Sequence, residues 1–181
     1  MKTDTRFTLA LEQLMLHPQF VEIAQHCQNL LPTAVADQHG AANRHTRNLA
    51  TEIGAYLNGT RIGGTAEQVP GWLRLGVIEA WIAYCTGTAD TCMHNPTVDR
   101  PQPVTAAPWR LNTIVCLACT YLLVPKKGSV ADRTCDACGH ECAGGGADDP
   151  IYPSVVQFGS LIYQFAVCTS CREDVLSTPG A

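Results

Sequence analysis

Apolar residues in the first half of the chain recur at three- and four-residue intervals, the period of a helix that buries one face. Phe7, Leu11, Leu14 and Met15 make the first such stripe, with Asp4 or Thr5 placed to cap it and Pro18 placed to end it. Pro18 also suits the first turn of a second helix, in which Phe20, Ile23, Ala24, Cys27, Leu30 and Leu31 share a face as far as Pro32. That stripe accounts for Cys27 as a small core residue. A third helix carries Ala42, Thr46, Leu49, Ile53, Tyr56 and Leu57 on one side and ends at Asn58-Gly59, with Gly40 delaying its start. After a Gly/Thr-rich loop from Gly59 to Val69, Pro70-Gly71 opens a fourth segment, Trp72 to Cys85, which is apolar on nearly every side apart from Arg74 and Glu79. A helix of that kind is central, packed by the others, and it places Trp72, Trp81 and Cys85 in the core.

The texture changes at Thr86-Gly87-Thr88. Beyond it prolines cluster at Pro96, Pro101, Pro103 and Pro108, and cysteines become frequent. β-Branched and apolar runs at Asn112–Cys116 and Thr120–Val124 read as strands, the latter joined to Val130–Thr134 by the turn-forming Pro125-Lys126-Lys127-Gly128-Ser129. Gly144-Gly145-Gly146 through Pro150 reads as a flexible connection, and Ser154–Phe158 and Leu161–Cys168 as a further strand pair around Gly159-Ser160. The expectation is an α+β chain: a helical bundle over residues 1–86, then a small β domain over 87–181. So small a β domain, poor in large facing apolar side chains, needs a staple.

Composition narrows the setting. Of 181 residues, 46% are hydrophobic and 15% charged, which is globular and excludes wholesale disorder. The N-terminus lacks a signal-peptide pattern and no apolar run is long enough to span a bilayer, so the expected setting is cytoplasmic, with no membrane partner. Abundant Ala and Gly, with three lysines among twelve basic residues, hint at a bacterial source. The net charge is −4, and after Cys85 six basic residues face nine acidic ones. That balance disfavours a dedicated nucleic-acid binder.

Ten cysteines change the picture more than any other feature, because six of them form three Cys-x-x-Cys pairs. In a reducing compartment such pairs are metal ligands far more often than cystines. Two residues between cysteines let both sulfurs face one point, and two such knuckles supply the tetrahedral donors that structural zinc prefers. Cys116/Cys119 and Cys135/Cys138 are separated by 15 residues, within the range of a four-cysteine zinc site. With glycine after the second knuckle, Ile114–Gly139 resembles the zinc-ribbon class and the metal-binding halves of uncharacterised bacterial proteins. The resemblance implies a knuckle, a β-hairpin and a second knuckle around one zinc ion, and it implies no activity.

Cys92-Met93-His94 and Cys168/Cys171 supply four more donors, giving eight ligands and two Zn²⁺ ions. In the preferred pairing Cys116, Cys119, Cys135 and Cys138 hold one ion while Cys92, His94, Cys168 and Cys171 hold the other. A sequential pairing uses the same eight, joining Cys92 and His94 to Cys116 and Cys119, and Cys135 and Cys138 to Cys168 and Cys171. Other schemes recruit His140 or Cys142. His17, His26, His39 and His45 have no partner at ligand spacing and read as surface or capping residues. Lys126-Lys127 reads as a solvated turn, and Trp109 as packing over the zinc domain or against the helices.

Four donors per ion leave no place for substrate, so the leading functional expectation is a non-catalytic interaction or adaptor protein, with protein partners and no catalytic residue. A nucleic-acid-associated regulator is the alternative. It would need Arg100, Arg110, Lys126, Lys127, Arg133 and Arg172 on one face. A zinc-dependent hydrolase comes third, since no His-x-Glu or His-Glu-x-x-His pattern occurs. Thiol redox chemistry is disfavoured by the acidic neighbours Asp136, Glu173 and Asp174.

Overall fold

The computed structural model describes residues 5–57, 65–144 and 148–176. Asp4, Asn58-Gly59, the loop to Gly64 and the centre of the Gly144–Pro150 connection lie outside the described residues. Among the described residues six α-helices and five strands run in the order α1 (Thr5–Met15), α2 (Phe20–Asn29), α3 (Thr33–Tyr56), α4 (Gly71–Cys85), β1 (Asp90–Thr91), β2 (Val104–Ala106), β3 (Thr113–Cys116), α5 (Val130–Arg133), β4 (Ile151–Phe158), β5 (Leu161–Cys168) and α6 (Thr169–Leu176). The four longest helices thus precede the strands in an α+β arrangement, as the periodicity implies.

The strands form one mixed sheet in the order β1-β3-β2-β5-β4. β1 runs parallel to β3 and β2 parallel to β5, while the β2/β3 and β4/β5 pairs are antiparallel. Their directions decide where the cysteines go. Cys116, the last residue of β3, lies opposite Val104, which in turn pairs with Leu161 at the start of β5. Cys168 ends β5, so the two strand-end cysteines occupy opposite ends of the sheet.

α4 is the central helix, as its all-round apolar sequence requires. It lies between α1 and the sheet, and its Leu73, Val77 and Tyr84 share one buried cluster with Val104, Ile114, Leu161, Phe165 and Val167 of the strands. The change of texture at Thr86 therefore falls beside a core to which residues on both sides contribute. Trp72 meets Phe165 edge-on at 5.7 Å between ring centroids, and Trp81 meets Phe158 at 5.6 Å. Arg74, one of its two charged exceptions, reaches Glu12 of α1 at 3.0 Å and donates to the Val69 carbonyl. Among the described residues no helix is long and apolar enough to cross a membrane.

Several local expectations are corrected. α3 begins at Thr33 and passes through Gly40 without delay. Its Ala42 and Thr46 are buried, the Thr46 hydroxyl donating to the Ala42 carbonyl at 2.8 Å, but Tyr56 is exposed. No residue of α2 is buried, and Cys27 is exposed, because the α2 stripe stays outside the core. Cys85 is exposed as well. It is the last residue of α4, just past the buried run Ile82, Ala83 and Tyr84.

The expected strand Thr120–Val124 is instead the end of a 3-10 turn, Leu117–Leu122, and Val130–Thr134 is largely α5. Local hydrogen bonds outweigh the β-branched residues there: Thr120 Oγ1 donates to the Leu117 carbonyl at 2.9 Å and Thr134 Oγ1 to the Val130 carbonyl at 2.7 Å. Without that hairpin the zinc-ribbon resemblance fails at its centre.

Gly76 of α4 is required by packing. A Cβ there would stand 2.6 Å from the hydroxyl oxygen of the buried Tyr163 and 3.1 Å from the ring carbon that bears it. Gly76→Ala should destabilise the protein by roughly 1 kcal/mol net, overpacking outweighing the gain in helix propensity. Adding Tyr163→Phe should recover part of that loss, as followed by denaturant unfolding at fixed zinc. A Gly76→Ala protein more stable than the parent would refute the close approach.

Candidate metal centres

The eight sequence-selected residues come together as two groups of four. Cys92, His94, Cys116 and Cys119 form the first, and Cys135, Cys138, Cys168 and Cys171 the second, with all donor atoms of a group within 4.8 Å of one another. This is the sequential pairing, and it displaces the preferred one. The reason is the sheet. β1 pairs in parallel with β3, so Cys92, next after Thr91, emerges beside Cys116, while Cys168 leaves the sheet at the other end.

Both centres use one construction. A strand ends on a cysteine, and the chain then winds into a helical turn that carries a second cysteine three residues on. β3 leads through Cys116 to Cys119 in the 3-10 turn, and β5 leads through Cys168 to Cys171 in α6. Residues three apart on a helical turn face the same way, so each pair aims at one point. An upstream pair completes each set. Cys92 and His94 sit in a turn closed by the Asn95 N–H on the Cys92 carbonyl at 2.8 Å. Cys135 and Cys138 sit in a knuckle closed by the Gly139 N–H on the Cys135 carbonyl at 2.8 Å, with Gly139 at φ +77°, a conformation that favours glycine.

Backbone and side chain fasten the second knuckle to the sheet. The Asp136 N–H donates to the Ala166 carbonyl at 2.9 Å, and the Ala166 N–H donates back to Asp136 Oδ2 at 2.6 Å. Burial pushes the Asp136 carboxyl up to about 6 against the lowering effect of that N–H. At the first centre, the Trp109 indole donates to the Leu123 carbonyl at 2.6 Å and secures the far side of the 3-10 turn.

Donor spacing fits a tetrahedral ion. Metal–sulfur bonds of about 2.3 Å put neighbouring sulfurs about 3.8 Å apart, and an imidazole nitrogen at about 2.0 Å lies about 3.5 Å from each sulfur. The Cys92 and Cys116 sulfurs are 3.7 Å apart. His94 Nδ1 stands 3.2, 3.4 and 4.0 Å from the sulfurs of Cys119, Cys116 and Cys92. In the second centre the Cys138 and Cys168 sulfurs are 3.9 Å apart.

Electrostatics point the same way. Burial raises the Cys92 thiol, yet the N–H groups of Cys116 and His94 outweigh it and bring it down to about 6. Its neighbour Cys119 is pushed up to about 11 by burial and by Cys92 and Cys116. In the second centre Cys135 falls to about 7, burial being outweighed by the N–H groups of Cys168, Cys138 and Ala137, while Cys171 is raised by burial and by Cys138 and Cys168. In each centre one thiolate is stabilised, Cys92 or Cys135, while Cys119 or Cys171 is held toward the protonated thiol. A dication at the centre removes that conflict.

The centres differ in setting. Cys92, Cys116 and Cys119 form a small buried cluster with Val115 and Leu123, whereas Cys135 and Cys168 belong to the main core. Outside both, His140, Cys142 and Asp149 form a third group of potential ligands. In the sequence His140 and Cys142 stand only as substitute ligands, and Asp149 carries no ligand spacing to them. The alternation His140-Glu141-Cys142 was the available signal. Burial, then Asp149, Cys168, Cys135 and Cys138, raise the Cys142 thiol. Of the remaining histidines, His17 accepts the Gln19 N–H at 3.2 Å just ahead of α2. Lys126 and Lys127 lie in a turn closed by the Ser129 N–H on the Lys126 carbonyl.

No family model, curated protein or solved structure matches the chain.

The observed pairing makes a test of its own. A Cys92→Ala/Cys116→Ala double variant should keep one metal ion per chain, whereas Cys92→Ala/Cys168→Ala should lose both. Metal analysis of the purified variants reads the difference directly. The reverse pattern would restore the displaced pairing.

Proposed function

We propose that the chain is a non-catalytic interaction protein whose sheet is held in shape by two structural zinc ions. The single observation behind this reading is that each centre gathers four protein donors within 4.8 Å, which fills a tetrahedral ion and leaves no position for substrate. Zinc is the metal these donors suit best: one set is three cysteines and a histidine, the other four cysteines. Structural zinc contributes about 10–16 kcal/mol to the folding of small modules, comparable to the whole stability of an ordinary domain of about 5–15 kcal/mol. The second centre shares the main core with α4, so its ion bears on the helices as well as on the strands.

The reading of a protein partner draws on where apolar side chains remain uncovered. Phe7, Leu9 and Leu14 of α1, Val21 of α2, Leu30 and Leu31 in the turn after it, and Val35 at the start of α3 are exposed. Concentrations of exposed apolar residues mark interaction surfaces more often than isolated ones do. The net charge of −4 favours a protein over nucleic acid for that role.

His94 is the ligand that tests the reading, being the lone non-thiolate donor of the eight. His94→Cys keeps four donors and should leave two zinc ions per chain, with a modest loss of stability because thiolate and imidazole differ in reach and charge. His94→Ala should lower zinc affinity at the first centre at least tenfold while the second centre stays loaded. X-ray absorption on the parent should find sulfur and nitrogen neighbours alone, four per ion. An oxygen neighbour at either four-donor centre would overturn the structural reading and favour hydrolytic chemistry.

A second measurement addresses the shared core. Removing zinc with a strong chelator should cost helical circular dichroism together with the near-ultraviolet signal of the core tryptophans. Helices that persist unchanged after full zinc loss would show that they fold without the metal-bearing strands.

A further inference from the structure

His140, Cys142 and Asp149 bring one ligand atom each to within 4.8 Å of one another, and none of the three belongs to the two four-donor centres. Their convergence is set by the backbone. The Cys135 N–H donates to the His140 carbonyl at 2.8 Å, the Cys142 N–H donates to the Arg133 carbonyl at 2.9 Å, and Thr134 bridges to Glu141 in antiparallel fashion. In extended pairing of this kind alternate residues face the same side. His140 and Cys142 therefore share one side, and Glu141 takes the other, where Arg133 meets its carboxylate at 2.6 Å. A further bond, from the Ala143 N–H to the Asp149 carbonyl at 3.1 Å, returns the chain to this segment. It sets Asp149 Oδ2 2.8 Å from His140 Nε2.

The donor set differs in kind from the other two. Zinc sites closed by protein use four ligands, whereas sites that keep an open position use three and leave the fourth to water or substrate. One thiolate, one imidazole and one carboxylate suit zinc or cobalt, and they do not suit magnesium or calcium, which call for oxygen throughout. Around such an ion the donor atoms would stand about 3.3–3.6 Å apart, so the present spacing closes with shifts of about 1 Å. Cys142 is buried, while the side chains of His140 and Asp149 are 52% and 43% exposed. One ligand is thus anchored in the core and two reach toward solvent, which places the vacant coordination position on the water side.

We infer that His140, Cys142 and Asp149 constitute a third metal site, open to solvent, which binds one zinc or cobalt ion with water or a small anion as its fourth ligand. Three donors hold an ion less tightly than four, so this ion exchanges while the other two stay. The site lies beside the second closed centre, the knuckle of Cys135 and Cys138 leading directly into its strand. It stands independently of the structural role proposed for the two closed centres, because it uses none of their ligands.

The test starts from full-length protein dialysed against a weak chelator until the exchangeable ion is gone and two zinc ions per chain remain, then titrated with Co²⁺ and followed by equilibrium dialysis with metal analysis and by visible absorption. The expected result is one cobalt bound per chain with no zinc displaced, showing the intensity of a four-coordinate ion and a thiolate charge-transfer band. Added azide should shift that spectrum by entering the open position. His140→Ala and Asp149→Asn, both at half-exposed positions that do not support the core, should each weaken cobalt binding at least tenfold and leave zinc content unaltered. Absence of a bound cobalt equivalent in the parent, or an equivalent unaltered in both variants, would overturn the inference. A parent that holds fewer than two zinc ions before titration would count against the closed centres alone, since the cobalt equivalent is judged by its loss in the two variants.

Discussion

Three or four thiols held a tetrahedron's edge apart cannot all become thiolates in the absence of a cation, and among the described residues this conflict occurs twice. Backbone N–H groups settle part of it by stabilising one thiolate in each centre, Cys92 and Cys135, while Cys119 and Cys171 are driven the other way. What remains is a concentrated demand for positive charge at each of two points. The ends of β3 and β5 and the turns after them are organised around meeting it.

Strand direction distributes these points. With β3 antiparallel to β2 and β2 parallel to β5, strand-terminal cysteines on β3 and β5 must lie at opposite ends of the sheet. Each then recruits whichever upstream donors the local topology delivers: the Cys92/His94 turn follows β1 into the first centre, and the Cys135/Cys138 knuckle is clamped to β5 through Asp136 and Ala166 into the second. One centre rests on a satellite cluster with Val115 and Leu123, and the other is part of the core that α4 also fills. The same ligand chemistry therefore carries unequal structural weight.

The helices contribute differently. α4 is buried between α1 and the sheet, and the Glu12–Arg74 pair joins α1 to it at 3.0 Å with both side chains largely covered. α2 buries none of its residues fully, with Phe20 and Ile23 half-covered and Val21 exposed.

Helical period in residues 5–57 and 71–85, the strands ending at Cys116 and Cys168, and the Cys-x-x-Cys pairs as candidate metal ligands were all legible in the sequence itself, because periodicity and knuckle spacing are local properties. Burial was not. The stripe containing Cys27 has the right period for a core face, yet period says only that residues share a side, and whether anything covers that side is decided by packing. Thr120–Val124 looked extended because β-branched residues favour strands, but Cys119 must turn toward Cys116, and the local hydrogen bonds follow that turn. Ligand pairing was decided by tertiary structure alone. Loop length discriminates weakly between pairings because closure entropy varies only logarithmically, whereas the parallel register of β1 on β3 places Cys92 beside Cys116 and leaves Cys168 at the other end of the sheet.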